Sequence, residues 1–481
     1  MNISIVAFII GTALLIEGAL MVAPLICTLF YGEPVMPFII TIFICLVLGF
    51  LMRKKKIETG HLLSKEGVVS TGLCWIVLSL TGMLPFIFSG AIVNPVDAFF
   101  ETVSGFTTTG STILTEIESL PRGVLLWRSL MHWIGGMGIL VFMLALMPLS
   151  GGTQMNLFKA ESPGPSISKL VPKAQDTAKI LYSIYGAMTV ITAILLMIFR
   201  MPVFDAICIA FGAAGTGGFG VLNSGCADYT YAQQVIITIA MASFGINFNF
   251  FFFIFIIRKT KEAFAMEEVR TYILIIFVAI AAITLDLVIS GVVRNPLLAF
   301  HEASFHTCSI ITTTGFATVD MNMWPALSRT IIVMLSLLGA CAGSTGGGLK
   351  VARLMLLVKS LGRECNRILH PQAVRKVHMD GRVVDDVVVH STSTYFFIYI
   401  IGMLISILLI SVDNKGWDTT ISAVIATFNN IGPGFGMVGS MGNYADFSAF
   451  AKIILAADML IGRLEIFPIL LLFSRRTWKK F

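Results

Sequence analysis

The chain has 481 residues, of which 56% are hydrophobic and only 12% are charged. Soluble domains carry about a quarter charged residues, so this composition excludes a soluble protein of such length, which would need far more polar surface. The net charge of +6 is carried by short loops between apolar segments, for example residues 53–56 and 475–480. This placement is typical of the cytoplasmic loops of a membrane protein and does not indicate nucleic-acid binding.

Apolar runs of about 20 residues, the length that crosses a bilayer as a helix, recur from end to end of the sequence. The first two occupy residues 3–30 and 36–52 and are joined by a turn at residues 32–34. The first run lacks a basic leading region and is too long for the apolar part of a signal peptide, so we expect a spanning helix. Residues 1–56 are therefore predicted to form a two-helix prefix of an all-α polytopic membrane protein.

A longer pattern follows and occurs four times. In each copy a spanning segment leads to an outer turn, a short apolar stretch ends in threonine or glycine, and a second spanning segment returns to a basic loop. The basic loops fall on one side in every copy, so the short stretch must enter and leave on the outer side. The predicted repeats are residues 67–148, 177–258, 269–359 and 390–475, with residues 360–389 as a cytoplasmic linker.

The short stretches carry the functional signal. Asp97 stands thirteen positions before Gly110, Glu302 stands thirteen positions before Gly315, and both stretches end in Thr-Thr-Thr-Gly. An acidic residue suits the positive N-terminal end of a helix dipole, so each stretch is predicted to be a half-helix followed by irregular backbone. Such backbone is tolerated at membrane depth only where it is buried in protein or lines a water-filled path. The second and fourth stretches have Asp205 and Asp418 near their starts and end at Gly217 and Gly432.

Four such breaks in four parallel copies indicate one shared axis. A cation in an apolar medium needs oxygens to replace its water, and backbone carbonyls supply them when a ring of extended segments turns them inward. Glycine permits the backbone conformations that this requires. The half-helices would also aim their negative C-terminal ends at the axis, which favours cations over anions. The alternative interpretation is four amphipathic outer loops that lie on the membrane.

Four longer motifs are specific enough to indicate a family. They are Trp-Arg-Ser-Leu-Met-His-Trp-Ile-Gly-Gly-Met-Gly at residues 127–138, Cys-Ala-Gly-Ser-Thr-Gly-Gly-Gly-Leu-Lys at 341–350, Asn-Asn-Ile-Gly-Pro-Gly at 429–434 and Gly-Arg-Leu-Glu-Ile-Phe at 462–467. With the glycine-centred stretches, they resemble the Trk/Ktr/HKT superfamily of cation uptake proteins, and in particular its TrkH/TrkG branch. The resemblance implies two N-terminal transmembrane helices, four helix–pore loop–helix repeats around a central pore, and gated uptake of a monovalent cation, with K⁺ as the expected ion.

The resemblance also implies where the ion binds. A selectivity filter of backbone and threonine oxygens is expected at the four segments that follow the half-helices. Glycine in all four segments favours K⁺, because serine at the first position accompanies Na⁺ permeation in relatives. The expected filter residues are Thr108, Thr109 and Gly110; Gly215, Thr216 and Gly217; Thr313, Thr314 and Gly315; and Asn430, Ile431 and Gly432.

Residues 339–350, hereafter the intramembrane loop, place five glycines inside an otherwise long apolar segment, where a continuous helix would be unfavourable. The resemblance implies that this loop is a gate below the filter; a simple helix kink is the alternative. The expected gate residues are Gly343, Ser344, Thr345, Gly346, Gly347, Gly348 and Lys350.

Two basic residues have two interpretations each. Lys350 stands at the inner end of the intramembrane loop, either as part of the gate or as an interfacial residue whose side chain extends to the lipid headgroups. Arg463 lies inside an apolar run, which is costly without a purpose. It either faces the path of the cation or forms a structural pair with Asp458 or Glu465.

Two other functions compete with gated uptake. A secondary symporter would couple K⁺ to H⁺ or Na⁺, but few intramembrane carboxylates besides Asp286 and Asp458 are available to carry protons. An enzyme would need a catalytic set, which the sequence lacks, so no enzymatic activity is expected. The resemblance further implies a homodimer with a pore in each protomer, a cytosolic TrkA-like nucleotide-binding subunit, and location in a bacterial inner membrane. It implies no cofactor in this chain, with K⁺ as the transported ion.

Overall fold

The computed structural model describes residues 2–54, 64–138, 174–372 and 375–478. Six helices in this part of the chain are long and apolar enough to span a membrane, and a seventh span results if one sharply bent helix pair is counted as one. The expected all-α polytopic class is therefore confirmed. The six spans are Ile3–Tyr31, Met36–Arg53, Lys65–Phe88, Asp176–Ile198, Glu267–Ile289 and Asp386–Asp413.

The prefix contains three helices, α1 (Ile3–Leu20), α2 (Val22–Tyr31) and α3 (Met36–Arg53). The first two form one continuous span, and α3 packs antiparallel against α1. Two glycines allow the close approach, because a Cβ on Gly11 would lie only 2.8 Å from the carbonyl oxygen of Gly49. Small residues at such a contact are a common basis of helix packing in membranes, where lipid tails remove the hydrophobic driving force.

The first copy of the repeated pattern contains helices α4 to α7, and the second contains α8 to α11. Part of the first predicted repeat, residues 139–148, lies outside the described residues. The helices of the first copy are α4 (Ser64–Gly82), α5 (Leu84–Phe88), α6 (Pro95–Phe106) and α7 (Arg122–Met137). Those of the second are α8 (Ala174–Ile198), α9 (Val203–Gly215), α10 (Tyr231–Phe244) and α11 (Phe248–Phe251), which continues as a π-helix over Phe252–Ile257.

A short helix α12 (Thr260–Ala265) leads to the third copy, and a two-stranded hairpin separates the third copy from the fourth. The helices of the third are α13 (Glu267–Ile289), α14 (Pro296–Ile311), α15 (Ala326–Leu338) and α16 (Val351–Leu369). The antiparallel hairpin is β1 (His378–Met379) and β2 (Arg382–Val383). The helices of the fourth are α17 (Asp386–Ile410), α18 (Trp417–Phe428), α19 (Ala449–Arg463), α20 (Phe467–Phe473) and α21 (Arg475–Trp478).

Among the described residues, the second spanning segment is interrupted in the second, third and fourth copies, whereas the sequence indicated an interruption only in the third. Helices α10 and α11 meet at an angle of 97°, and Asn247 caps the new helix by accepting a hydrogen bond from the Asn249 amide at 3.0 Å. In the fourth copy Glu465 and Ile466 have φ values of 57° and 68°, which end α19 before α20 begins. Each of these breaks lies close to the C-terminal end of a half-helix.

The half-helices α6, α9, α14 and α18 form a closed ring with their neighbours. Each packs against the helix that follows the half-helix of the preceding copy: α9 on α7, α14 on α10, α18 on α15, and α6 on α19. Two of the acidic residues expected at the half-helix starts form ion pairs across these contacts. Asp97 pairs with Lys452 of α19 at 2.6 Å, and Asp205 lies 3.8 Å from Arg122 of α7. The acids therefore join one copy to the next.

Candidate functional site

The four half-helices end in the same turn. In each, a backbone amide just beyond the helix donates a hydrogen bond to the carbonyl oxygen five residues earlier, with N···O distances of 2.8 to 2.9 Å. This repeated bond fixes which residues correspond between copies, independently of any similarity in sequence. The four donors are Thr109, Gly217, Thr314 and Ile431.

The residues on either side of each donor have left-handed backbone. The preceding residue is a threonine or asparagine with φ between 53° and 58°. The following residue is a glycine with φ between 76° and 96°, a region that glycine enters without steric cost. Four three-residue segments thus share one conformation. They are residues 108–110, 216–218, 313–315 and 430–432, hereafter the first to fourth segments.

The four segments close into a ring. A Cβ placed on Gly110 would lie 2.0 Å from the carbonyl oxygen of Gly217 in the second segment. The same contact joins the second segment to the third and the third to the fourth, and Gly432 returns it to the carbonyl oxygen of Thr109 at 2.6 Å. In each contact, the glycine of one segment therefore packs against a backbone carbonyl oxygen of the next segment, and no side chain would fit at that glycine. The two intermediate contacts are Gly218 to Thr314 at 2.0 Å and Gly315 to Ile431 at 2.1 Å.

The second segment lies one residue later than expected. The sequence suggested Gly215, Thr216 and Gly217, but the turn aligns Thr216, Gly217 and Gly218 with Thr108, Thr109 and Gly110. Two adjacent glycines leave the register open in the sequence, and the hydrogen bond of Gly217 decides it. Gly215 is instead the last helical residue and permits close packing, because its Cβ would lie 2.1 Å from the carbonyl oxygen of His132.

Side chains of the segments are buried and link neighbouring copies. The Asn430 amide donates to the Thr109 hydroxyl at 2.9 Å, which joins the fourth segment to the first. The hydroxyl of Thr108 and the carbonyl oxygen of the Asn430 side chain have no hydrogen-bond partner among the described residues. Buried oxygens of this kind are suited to a dehydrated cation, because each unpaired one otherwise costs free energy.

The ring opens on one side into a cavity of about 230 Å³, which the four segment glycines and Arg128 help to line. Arg128 forms a fully buried ion pair with Glu101 at 2.8 Å, and Glu101 also accepts the Ile113 amide at 3.0 Å. Arg128 reaches the carbonyl oxygen of Gly220 at 3.3 Å. This pair therefore fixes the chain that leaves the first and second segments, and sequence analysis assigned no role to it.

On the other side of the ring lies the intramembrane loop. Helix α15 ends at Leu338 and α16 begins at Val351, so the helix is interrupted over the residues that the sequence indicated. The Gly347 amide donates to the hydroxyl of Thr313 at 2.7 Å. A Cβ on Gly347 would lie 2.5 Å from the carbonyl oxygen of Asn429, and one on Gly346 would lie 2.9 Å from that of Thr312. The loop thus packs directly against the ends of α14 and α18.

Both basic residues near the loop make contacts that the sequence left open. Lys350 is 2% exposed and donates to the carbonyl oxygen of Gly346, so its interpretation as an interfacial, headgroup-seeking residue is wrong. Arg463 donates to the carbonyl oxygen of Thr345 at 2.8 Å and to those of Gly135 and Gly136 in α7. Arg463 therefore joins the intramembrane loop to the first copy.

The two acids considered as partners of Arg463 have other contacts. Asp458 accepts the Ser406 hydroxyl at 2.6 Å. Glu465 forms an ion pair with Arg353 of α16, whose guanidinium also lies over the ring of Tyr395 at 4.0 Å. This second pair ties the break in the last spanning segment to the helix that follows the intramembrane loop.

These features define a polytopic membrane protein in which four re-entrant half-helices converge on one ring of backbone carbonyls, with a non-helical loop beneath it. The chain belongs to the TrkH family, because the family model described as "TrkH: Cation transport protein" matches residues 34–480. Membership places the chain among cation transport proteins.

Several known proteins resemble the chain along nearly its whole length. It is 35% identical over 485 residues to the Trk system potassium uptake protein TrkH of Salmonella typhimurium, with 100% of each chain covered. It is 31% identical to the Trk system potassium uptake protein TrkG of Escherichia coli, with 99% of each covered. The crystal structure of the potassium transporter TrkH from Vibrio parahaemolyticus covers 100% of both chains, with a TM-score of 0.90 and 31% identity.

Proposed function

We propose that this protein takes up K⁺ through a selectivity filter formed by the first to fourth segments. The ring of four carbonyl-to-glycine contacts carries this proposal, because each of the four copies contributes one glycine and one carbonyl oxygen to it. Carbonyl oxygens in such a ring can replace the hydration shell of a monovalent cation. The names of the full-length relatives, which are potassium uptake proteins, support K⁺ as the ion.

The intramembrane loop serves as the gate in this proposal. Its Gly346 and Gly347 lie against the carbonyls of Thr312 and Asn429 on the side of the ring opposite the cavity, and a cation leaving the ring on that side would meet the loop. The guanidinium of Arg463, bonded to the Thr345 carbonyl, adds a positive charge at the same level. Opening requires the loop to move away from the ends of α14 and α18.

Membrane potential supplies the driving force in this mechanism, since one charge crossing 100 mV is worth about 2.3 kcal/mol. Coupled symport with H⁺ or Na⁺ would instead need a second ion path. Of the two intramembrane carboxylates considered for this role, Asp458 accepts the Ser406 hydroxyl at 2.6 Å, and Asp286 accepts both the amide and the hydroxyl of Ser328, at 3.0 and 2.6 Å. These structural roles favour uncoupled conduction.

The assembly is a homodimer in a bacterial inner membrane, regulated by a cytosolic TrkA-like nucleotide-binding subunit. The charged linker and hairpin between α16 and α17 suit such a docking role. Arg375 and Arg382 are exposed there. Association of the purified chain with itself, and with a nucleotide-binding partner, is measurable by light scattering.

Current–voltage measurements on the purified protein in lipid bilayers test the proposed function. With unequal K⁺ concentrations, we expect the current to reverse at the K⁺ equilibrium potential and to be unaffected by pH or Na⁺ gradients. Reversal that follows pH or Na⁺ would instead favour coupled symport. Absence of cation current at any voltage, even from folded protein that lacks residues 346–348 of the proposed gate, would refute the filter. Deletion of residues 346–348 tests the gate separately, because it should raise basal flux.

A further inference from the structure

A buried carboxylate contacts the intramembrane loop from outside the ring. Glu268, the second residue of α13, is only 4% exposed. One of its carboxylate oxygens accepts the backbone amide of Ala342 at 2.6 Å. The other accepts the side-chain amide of Asn247, with an N···O distance of 3.3 Å. Burying a carboxylate costs free energy unless several hydrogen-bond donors satisfy it. Here one donor, Ala342, belongs to the intramembrane loop, and the other, Asn247, belongs to the second copy.

Glu268 reaches both ends of the intramembrane loop. Ala342 lies near the start of the loop, and the backbone amide of Ala352, just beyond its end, also faces the carboxylate. The side-chain nitrogen of Lys350 also lies close enough to the Glu268 carboxyl group for an electrostatic interaction. The carboxyl group of Glu268 therefore links residues near both ends of the loop, while Gly346 and Gly347 between them pack against the ring.

Asn247 adds a second point of attachment. It lies at the bend between α10 and α11, where the Phe248 amide donates to the carbonyl oxygen of Gly343 at 3.0 Å. The Cys341 amide donates to the carbonyl oxygen of Gly245 at 3.1 Å. The bend in the second copy thus forms backbone hydrogen bonds with the first half of the intramembrane loop. Glu268 bonds both to Asn247 in this bend and to Ala342 in the loop.

The end of α13 that carries Glu268 is itself anchored. Its neighbour Glu267 exchanges hydrogen bonds with Asp380 of the hairpin, at 2.7 and 3.1 Å. Glu267 also forms an ion pair with Lys359 of α16, which in turn donates to the carbonyl oxygen of His378 at 2.8 Å. These contacts fix the start of α13, and with it Glu268, relative to α16 and the hairpin. Glu268 can therefore hold the intramembrane loop in place.

We infer that Glu268 is the positioning residue that holds the intramembrane loop in its closed position. The inference rests on the proposed gate. Opening the gate breaks the bond between the Glu268 carboxylate and the Ala342 amide, and removal of the carboxylate weakens the closed form without touching the filter. The donors to Glu268 are backbone amides and the side-chain amide of Asn247, and hydrogen bonds from such donors to a carboxylate are of the stronger kind.

The test combines flux with the reactivity of Cys341, which is fully buried in the loop. The chain has eight cysteines, so the test uses a background variant in which all except Cys341 are replaced by alanine. This variant is reconstituted in liposomes and exposed to a charged methanethiosulfonate reagent on both faces. We expect Glu268→Ala to raise basal Rb⁺ flux about tenfold and to speed the labelling of Cys341, with the preference for Rb⁺ over Na⁺ unchanged. Glu262→Ala is the matched control, because Glu262 is an exposed carboxylate paired with Lys259, and it should change neither.

A double mutant separates this inference from the proposed gate. If Glu268 acts through the loop, Glu268→Ala should add nothing to the flux of the variant that lacks residues 346–348. A further rise in that background, or unchanged flux and labelling in the single variant, would overturn the assignment. Should the deletion itself leave flux unchanged while Glu268→Ala still speeds labelling, the gate would fail and the positioning role would stand. Glu268→Gln, which keeps one acceptor oxygen, should give intermediate labelling and serves if the alanine variant does not fold.

Discussion

The backbone amide of Gly347 lies 2.7 Å from the side-chain hydroxyl of Thr313 and donates a hydrogen bond to it. Gly347 belongs to the intramembrane loop and Thr313 to the third segment, so the proposed gate is bonded directly to the proposed filter. The loop cannot leave the ring without breaking this bond. Movement of the loop is therefore coupled to the conformation of a residue that has left-handed backbone, with a φ of 58°.

Replacing Thr313 with valine tests this coupling. The change removes the hydroxyl that accepts the Gly347 amide and leaves a buried donor unpaired, which costs about 1–3 kcal/mol. We expect basal Rb⁺ flux through reconstituted protein to rise about three- to tenfold. Thr330→Val is the control, because Thr330 is exposed on α15 and its hydroxyl donates to the Ala326 carbonyl oxygen of the same helix at 2.8 Å. Equal effects of the two variants would contradict a specific link to the loop.

Replacing Gly110 with serine tests the filter. Gly110 has a φ of 79° and its Cβ would lie 2.0 Å from the Gly217 carbonyl oxygen, so a side chain must displace an oxygen of the ring. We expect the preference for Rb⁺ over Na⁺ to fall about tenfold, or about 1.4 kcal/mol, in an isotope flux assay. Gly90→Ser is the control, since Gly90 has a similar φ of 74° but no atom within 4 Å of its Cβ. An unchanged ion preference in Gly110→Ser would refute the assignment of the filter.

Replacing Arg463 with lysine tests whether the guanidinium holds the loop. Two of its nitrogens bond to carbonyls of the loop and of α7, and a lysine retains the charge but not this fork of donors. We expect basal flux to rise about threefold or more, measured as Rb⁺ efflux at fixed voltage. Arg294→Lys, at an exposed position, should have no effect. Unchanged flux in Arg463→Lys would mean that charge alone, rather than bonding, matters at this position.

Replacing Arg128 with methionine tests the wall of the cavity. The change leaves Glu101 buried without its ion-pair partner, which costs about 3–5 kcal/mol in comparable buried pairs. We expect a clearly lower Tm for the purified protein in detergent. Lys259→Met provides the comparison, because Lys259 is 56% exposed in its pair with Glu262, and such pairs contribute about 0–1 kcal/mol. Similar Tm losses in both variants would show that the buried ion pair contributes no more to stability than the exposed one.

Much of the fold was predictable because its signals are local. Runs of apolar residues long enough to cross a bilayer predicted the spanning helices, and the glycines of residues 339–350 predicted the interruption between α15 and α16. Asn-Pro at the starts of α6 and α14 is typical of a helix start, and both asparagines cap the helix by accepting hydrogen bonds from the Val96 and Leu297 amides at 3.0 Å. Each of these features depends on residues close together in the chain.

The errors and omissions concern atoms distant in sequence. The register of the second segment was set one residue early because Gly217 and Gly218 are chemically identical. The sequence therefore leaves open which of them bonds to the Gly212 carbonyl oxygen and which packs against the third segment. The breaks after α10 and α19 were missed because no cluster of glycines marks them as it marks the intramembrane loop. Glu268 was overlooked because a glutamate in the first turn of a helix is ordinary until its burial is known.

The sequence by itself determined that this is an all-α membrane protein with four half-helices that end in threonine or glycine, because hydrophobic length and backbone freedom are properties of short stretches. Only the tertiary structure decided which carbonyl meets which glycine, and that Arg463 and Glu268 both bond to the intramembrane loop. Those contacts join residues separated by tens to hundreds of positions. They exist only once four similar but unequal copies have packed around a common ring.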